Sequence, residues 1–132
     1  MGARVLVADD DESISKLLDR ALSQDGYEVV LAANGAEAVA LASQQTFDLI
    51  LLDAIMPVLD GFAACRQMRA DTRLALVPIV MLTARTGDQD VLAGFGEGVT
   101  DYMTKPFAVS QVRARVRAWL TRGRTRELKV EG

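Results

Sequence analysis

Three short apolar runs with no polar alternation constrain this chain more than any other feature. They are Val5-Leu6-Val7-Ala8, Leu49-Ile50-Leu51-Leu52 and Ile79-Val80-Met81-Leu82. A strand with one wet face alternates apolar and polar residues, so runs like these read as strands buried on both faces. Helix-period segments lie between them. Ile14, Leu17, Leu18, Ala21 and Leu22 recur at that spacing, and Asp25-Gly26 ends the helix they predict. Asn34 followed by Glu37 resembles a capping box opening a helix through Val39 and Leu41. Phe62, Cys65 and Met68 form a third stripe, and Val91, Leu92 and Phe95 suggest a fourth helix that stops at Gly96 or Gly98. Val109, Val112, Val116, Trp119 and Leu120 mark a fifth. Glu28 to Leu31 and Thr100 to Thr104 supply two weaker strands. Strands alternating with helices predict an α/β fold with a parallel sheet covered on both faces, a three-layer sandwich. Right-handed crossovers leave few topologies. Five (βα) units suit the flavodoxin-like strand order 2-1-3-4-5 best.

The chain has 132 residues, which suits one domain. Helical periodicity fades near Thr121, so residues 1–122 read as the domain and 123–132 as a tail or the start of a linker. There is no His, hence no histidine metal site or histidine base, and Cys65 is the only cysteine, so no disulfide forms within the chain. No apolar run approaches the ~20 residues of a membrane span, and the N-terminus lacks a signal-peptide pattern. These features suit a cytoplasmic protein without membrane attachment. A net charge of -3 argues against a dedicated nucleic-acid binder. Charge is uneven, however. Asp9, Asp10, Asp11 and Glu12 make an acidic run, while Arg113, Arg115, Arg117, Arg122, Arg124, Arg126 and Lys129 make the end basic.

In an open parallel sheet, sites form beyond the carboxyl ends of the strands, near the switch in strand order. Asp9 and Asp10 follow the first strand, Asp53 the third, Thr83 the fourth and Lys105 the fifth. Those strands are neighbours in the expected order, so the five residues should meet. Three carboxylates at one spot repel: two like charges ~4 Å apart cost about 4 kcal/mol at an effective dielectric near 20. A raised pKa or a hard divalent cation with oxygen ligands relieves this. Lys105 supplies a mobile positive charge and Thr83 a hydroxyl. Carboxylate, cation, ammonium and hydroxyl together point to phosphoryl transfer onto an aspartate. Taken singly, Asp9 and Asp10 read equally as a helix N-terminal acidic pair, and Lys105 as a surface lysine. Their joint placement at strand ends carries the reading.

Four stretches match a known family. They are Val7-Ala8-Asp9-Asp10, then Asp53-Ala54-Ile55-Met56-Pro57-Val58-Leu59-Asp60-Gly61, then Leu82-Thr83-Ala84, and Asp101-Tyr102-Met103-Thr104-Lys105-Pro106-Phe107. In this order and spacing the chain resembles the receiver domains of two-component response regulators, over about residues 3–122. The resemblance implies that Asp53 is the phosphoacceptor. It implies that Asp10 binds Mg²⁺ directly, Asp9 mainly through water, and the Ile55 backbone carbonyl as a further ligand, with Mn²⁺ as a substitute metal. Lys105 would pair with the carboxylate and then with the phosphoryl group. Thr83 would move its hydroxyl to a phosphoryl oxygen, and Tyr102 would turn inward with it. The Lys105-Pro106 bond would be cis. The donor would be a phosphohistidine on a sensor histidine kinase or a histidine phosphotransfer protein. Such a domain is a switch, not a turnover enzyme: it catalyses only its own phosphorylation and slow dephosphorylation. The moving surface would be the fourth helix, fifth strand and fifth helix, facing a downstream protein or domain that the sequence does not name.

Some positions vary in the family. Ile55 and Arg85 each lie two residues past an active residue, where a polar group can orient a hydrolytic water; Ile55 cannot, and Arg85 is long enough to cover the phosphoryl group, so a long-lived phosphoryl state is expected. The basic last helix reads as a solvated face or as a homodimer contact, with Asp101 or Glu97 of a second copy pairing to an arginine. Direct nucleic-acid binding by this stretch is not expected. Two rivals stand beside the main reading. One is a haloacid-dehalogenase-like phosphatase with Asp9 as nucleophile and Asp11 as acid-base, for which the chain is short. The other is a receiver-like binding module that works without phosphorylation.

Overall fold

The computed structural model describes residues 2–84, 96 and 98–131, with side chains through Arg122. The apolar runs become strands: β1 (Arg4–Ala8), β2 (Glu28–Ala32), β3 (Leu49–Asp53), β4 (Ile79–Thr83) and β5 (Asp101–Thr104). The helices are α1 (Glu12–Gln24), α2 (Gly35–Gln44), α3 (Gly61–Arg69) and a C-terminal helix (Val109–Glu131), with one 3₁₀ turn at Thr72–Leu74. All strands pair in parallel, in the order β2-β1-β3-β4-β5. That is the flavodoxin-like order expected for five (βα) units. The fourth helix expected at Val91, Leu92 and Phe95, together with Arg85 and Glu97, lies outside the described residues.

Alternate residues of each strand feed two separate cores. Leu6, Ala8, Ile50, Leu52, Ile79 and Met81 pack with Ala38, Ala42, Ala64, Cys65 and Met68 of α2 and α3. Val5, Val7, Leu49, Leu51, Val80 and Leu82 pack with Leu18 and Leu22 of α1 and with Val112 and Val116 of the C-terminal helix. Every residue of β3 and β4 is buried. This is why those runs carry no polar alternation, and why truncating one to alanine should cost roughly 2–5 kcal/mol.

Side-chain caps set where the helices begin, and so where the strand-end loops must turn. Asp11 accepts from the Ser13 and Ile14 amides, Asn34 from Glu37 and Asp60 from Ala63. Each cap satisfies an amide that the first helical turn leaves without a partner. Gly26, at φ +91°, reverses the chain after α1 where a side chain would be strained. The C-terminal helix continues to Glu131, past Leu120 where the apolar stripe stops.

Candidate functional site

Register decides which side chains meet. β1 and β3 run side by side, with Ala8 opposite Leu52, so Asp9 and Asp53 emerge together at the carboxyl edge. Asp53 pairs with Leu82, and Thr83 with Thr104, so Thr83 and Lys105 follow at the same edge. One carboxylate oxygen from each of Asp9, Asp10 and Asp53 lies within 4.8 Å of the others. Asp9 is 2 % exposed, Asp53 7 % and Thr83 1 %, while Asp10 faces solvent. Lys105 Nζ sits 2.8 Å from Asp9 Oδ2 and 3.3 Å from Asp53 Oδ2. The Lys105 amide donates to the Thr83 carbonyl at 2.9 Å, and the Lys105-Pro106 bond is cis. All five residues expected at this edge are therefore brought together there. Tyr102, on β5 three residues before Lys105, is half-buried against the core on the α2 and α3 side.

The three carboxylates are held very differently. Asp9 is fixed at four points: its amide donates to Ala32 O, its carbonyl accepts from the Ser15 hydroxyl at 3.2 Å, Oδ1 accepts from the Asp11 amide at 2.9 Å, and Oδ2 meets Lys105. Asp53 Oδ1 accepts from the Ile55 amide at 3.3 Å. Asp10 has no side-chain partner among the described residues. Burial pushes the Asp53 carboxyl above its ordinary pKa, the neighbouring Asp9 charge adds to this, and Lys105 offsets only part of it. Burial pulls the Lys105 ammonium down, but its bonds and charge pairing with Asp9 and Asp53 outweigh that and raise it. Among the described residues, the pocket thus sets three carboxylates against one ammonium. Oxygen donors alone, clustered and partly desolvated, are the ligand set a hard divalent cation takes.

The loop after β3 is shaped by close approach. A Cβ on Gly61 would lie 2.3 Å from the Asp53 carbonyl oxygen, so only glycine lets α3 start against the acidic edge. Val58 sits at φ +70°, with the Leu59 amide donating to Pro57 O at 2.8 Å, a tight three-residue turn. Val58 is 81 % exposed, and Ile55 also faces solvent at the rim of the pocket.

Other residues fall where the sequence pattern did not put them. Asp11 caps α1 and takes no part in the acidic cluster, which removes the acid-base that a dehalogenase-like phosphatase would need. Within this one chain Arg113 pairs with Asp25, and Asp101 accepts from Arg115 at 2.6 Å and from the Trp119 indole at 3.0 Å. Ser15 and Arg69 carried no signal in the sequence, because their partners are backbone carbonyls and a hydroxyl at distant positions. Only the fold reveals such contacts.

The model of the response regulator receiver domain family matches residues 5–117. The chain is 47 % identical over 119 residues to the DNA-binding dual master transcriptional regulator RpaA of Synechocystis, covering 90 % of this chain and 49 % of that protein. It is 44 % identical over 122 residues to the alkaline phosphatase synthesis transcriptional regulatory protein PhoP of Bacillus subtilis, covering 92 % and 50 %. The chain spans about half the length of the curated relatives it matches. Among solved structures, it superposes on the Vibrio cholerae chemotaxis protein CheY4 with a TM-score of 0.86, 35 % identity, and coverage of 89 % and 98 %. It superposes on the receiver domain of the sensor histidine kinase PA1611 of Pseudomonas aeruginosa with a TM-score of 0.84, 34 % identity, and coverage of 92 % and 99 %. That structure has a magnesium ion coordinated in its active-site cleft.

Proposed function

Since the chain belongs to the response regulator receiver family, the phosphoacceptor switches of two-component signalling, we propose that Asp53 is its acceptor and that Asp9, Asp10, Asp53 and the Ile55 carbonyl hold Mg²⁺. The observation that carries this is the meeting of Asp53 Oδ2 with Lys105 Nζ at 3.3 Å inside the three-carboxylate cluster. Membership implies a histidine kinase as partner, and the phosphohistidine of a kinase or phosphotransfer protein is the donor.

Each residue then has a task set by its surroundings. An Asp53 oxygen attacks phosphorus, the P–N bond of the donor breaks, and its electron pair stays on the imidazole. Both Asp9 oxygens are already engaged, by the Asp11 amide and by Lys105, so Asp9 acts on the metal through water. Asp10 is the direct ligand, which its exposure and freedom support. When bound, Mg²⁺ supplies the positive charge that lets carboxylate and phosphoryl oxygens approach. Lys105 shifts from the Asp pair onto a phosphoryl oxygen. Thr83, buried at the end of β4, turns its hydroxyl to another, and Tyr102 follows on the adjacent strand. A phosphoryl group brings about -1.5 to -2 charges and three acceptor oxygens. Full reversal of a 1:99 population needs roughly 5.5 kcal/mol of differential stabilisation. The new bonds to Lys105 and Thr83 contribute to that.

Output runs through β5 and the C-terminal helix to a further protein or domain. RpaA and PhoP are transcriptional regulators by name, which supports a transcriptional output for a longer protein containing this chain. Residues 1–122 form the receiver, and the helical stretch after it serves as the linker. The exposed apolar Ile55 gives a hydrolytic water nothing to hold, so the phosphoryl state is long-lived. Ile55→Asn with Arg85→Glu should speed dephosphorylation, and an unchanged lifetime would refute that point.

The acceptor itself is tested with Mg²⁺ and acetyl phosphate, followed by intact mass. Wild type should gain one phosphoryl group, and Asp53→Asn or EDTA-treated protein none. A gain that survives Asp53→Asn would move the acceptor elsewhere.

A further inference from the structure

α3 runs between two fixed points, and from the second of them we infer that Arg69 is a positioning residue for phosphoryl uptake, holding in place the strand that carries Lys105. The inference rests on the role given to Lys105 above. At its start, α3 is packed through Gly61 against the peptide of Asp53, and the Gly61 amide donates to Ala54 O at 3.0 Å. Eight residues later, about 12 Å along the axis, the Arg69 guanidinium ends the helix in a four-way clamp. Nη1 donates to Leu74 O at 2.6 Å and to Val77 O at 2.7 Å, Nε to Gly98 O at 2.9 Å, and Nη2 to Thr100 Oγ1 at 3.1 Å. The first two acceptors precede β4 and the last two precede β5.

The clamp matters most for β5. That strand has four residues, lies at the edge of the sheet and pairs only with β4. At its root, the Thr100 amide donates to Ile79 O at 2.7 Å, and the Ile79 amide donates to the same Thr100 hydroxyl oxygen that Arg69 holds. Gly98, at φ +94°, packs so tightly that a Cβ there would lie 2.6 Å from Arg69 Cγ. One planar guanidinium therefore ties the roots of β4 and β5 to the helix that begins at the acceptor. At the far end of β4 is Thr83, and directly after the far end of β5 comes Lys105. A lysine at position 69 has one donor nitrogen and no fixed fork, so it cannot reach all four acceptors.

The carboxylates sit on β1 and β3, which Arg69 does not touch. Loss of the clamp should therefore loosen Lys105 and leave the metal site intact. Misplacing a catalytic group by about 1 Å can cost on the order of 100-fold in rate. The experiment measures two quantities on the full chain: the Mg²⁺ dissociation constant by calorimetry, and the initial rate of phosphoryl uptake from acetyl phosphate at saturating Mg²⁺. For Arg69→Met the rate should fall roughly 10- to 100-fold with the Mg²⁺ constant unchanged. Arg69→Lys should fall between that and wild type, and Thr100→Val, which removes one acceptor, should show the mildest loss.

Uptake by Arg69→Met at the wild-type rate, with only a lower melting temperature, would make the clamp merely structural and overturn the inference. Equal collapse of metal binding and uptake would overturn it too. If Arg69→Met does not fold, Thr100→Val decides: slower uptake with unchanged Mg²⁺ binding supports the inference, and unchanged uptake refutes it. Failure of the wild type itself to take up phosphate would remove the role of Lys105, and this inference with it.

Discussion

The two ends of this sheet handle charge in opposite ways. At the amino ends of the strands, charged groups near the surface find matched partners. Arg113 pairs with Asp25, and Arg69 is spread over three carbonyls and a hydroxyl. Asp101 accepts from Arg115, from the Trp119 indole and from the Tyr102 amide. At the carboxyl ends, three carboxylates stand against one ammonium among the described residues, and two of the three are buried. At the amino end, Arg113, Arg69 and Asp101 have partners of their own. The carboxyl end waits for positive charge, and that deficit is what a divalent cation and a transferable phosphoryl group can exploit. Stability is built at one end so that tension can be kept at the other.

The strongest way to break this contrast is to remove the cation that Asp9 and Asp53 share among the described residues, Lys105. Lys105→Met would leave Asp9, whose side chain is fully buried, without its counter-charge. Stripping one partner from a buried pair typically costs about 3–5 kcal/mol. Urea unfolding in EDTA should show a loss of that order, partly recovered on adding Mg²⁺. A loss under about 1 kcal/mol, the level of an exposed pair, would mean the pocket is not under strain.

A milder test uses the sign of the pH dependence at the two ends. Burial raises the Asp101 carboxyl, but the Trp119, Tyr102 and Arg115 donors outweigh it and hold its pKa below the ordinary value. A depressed folded-state pKa means the contribution is complete above the unfolded value of about 3.9 and is lost as pH falls through the folded value. Asp101→Asn should therefore be less stable than wild type at neutral pH, by roughly 1 kcal/mol for such a half-exposed network. The gap should close below about pH 4. Asp53 has the opposite sign in metal-free protein: its raised pKa means the ionised form opposes folding. If the Asp101→Asn gap widens in acid, the amino end is not the matched end described above.

The smallest effect concerns the acceptor loop. Val58 holds a left-handed backbone that costs an L-residue roughly 1–2 kcal/mol, while glycine is free of that cost but loses more entropy on folding. Val58→Gly should raise stability by about 0.5–1 kcal/mol and leave phosphoryl uptake unchanged. A loss of stability would show that the valine side chain makes up for its backbone.

The contrast between the two ends also explains what could be read from the sequence. β1, β3 and β4 were legible because burial on both faces leaves a continuous apolar run. Asp9, Asp53 and Thr83 were legible because they lie at or just past the ends of those runs, and Lys105 because it follows the weaker β5; only the strand order was needed to bring the four together. β2 and β5, at the sheet edges, carry weaker patterns, and their bounds differ by a residue from those expected. The amino end was hardly legible at all. Arg69 binds carbonyls 5, 8 and 29 residues away, and Arg113 reaches an aspartate 88 residues away. Such contacts leave no local pattern. Asp11 was misleading for a related reason: within an acidic run, a helix cap and a catalytic acid-base look alike until their amide partners are known.

The central claim is that ionised Asp53 strains the metal-free pocket and that a divalent cation relieves it. The direct measurement is the unfolding free energy of wild type and Asp53→Asn, each in EDTA and in saturating Mg²⁺. In EDTA the Asn variant should be the more stable, by on the order of 1 kcal/mol, a fraction of what two like charges cost at ~4 Å. A cation at about 100 times its dissociation constant stabilises by ~2.7 kcal/mol, and wild type, with its full ligand set, should gain more of this, so the order reverses. A wild type that is the more stable in EDTA, or that gains no more from Mg²⁺ than the variant, would contradict the account.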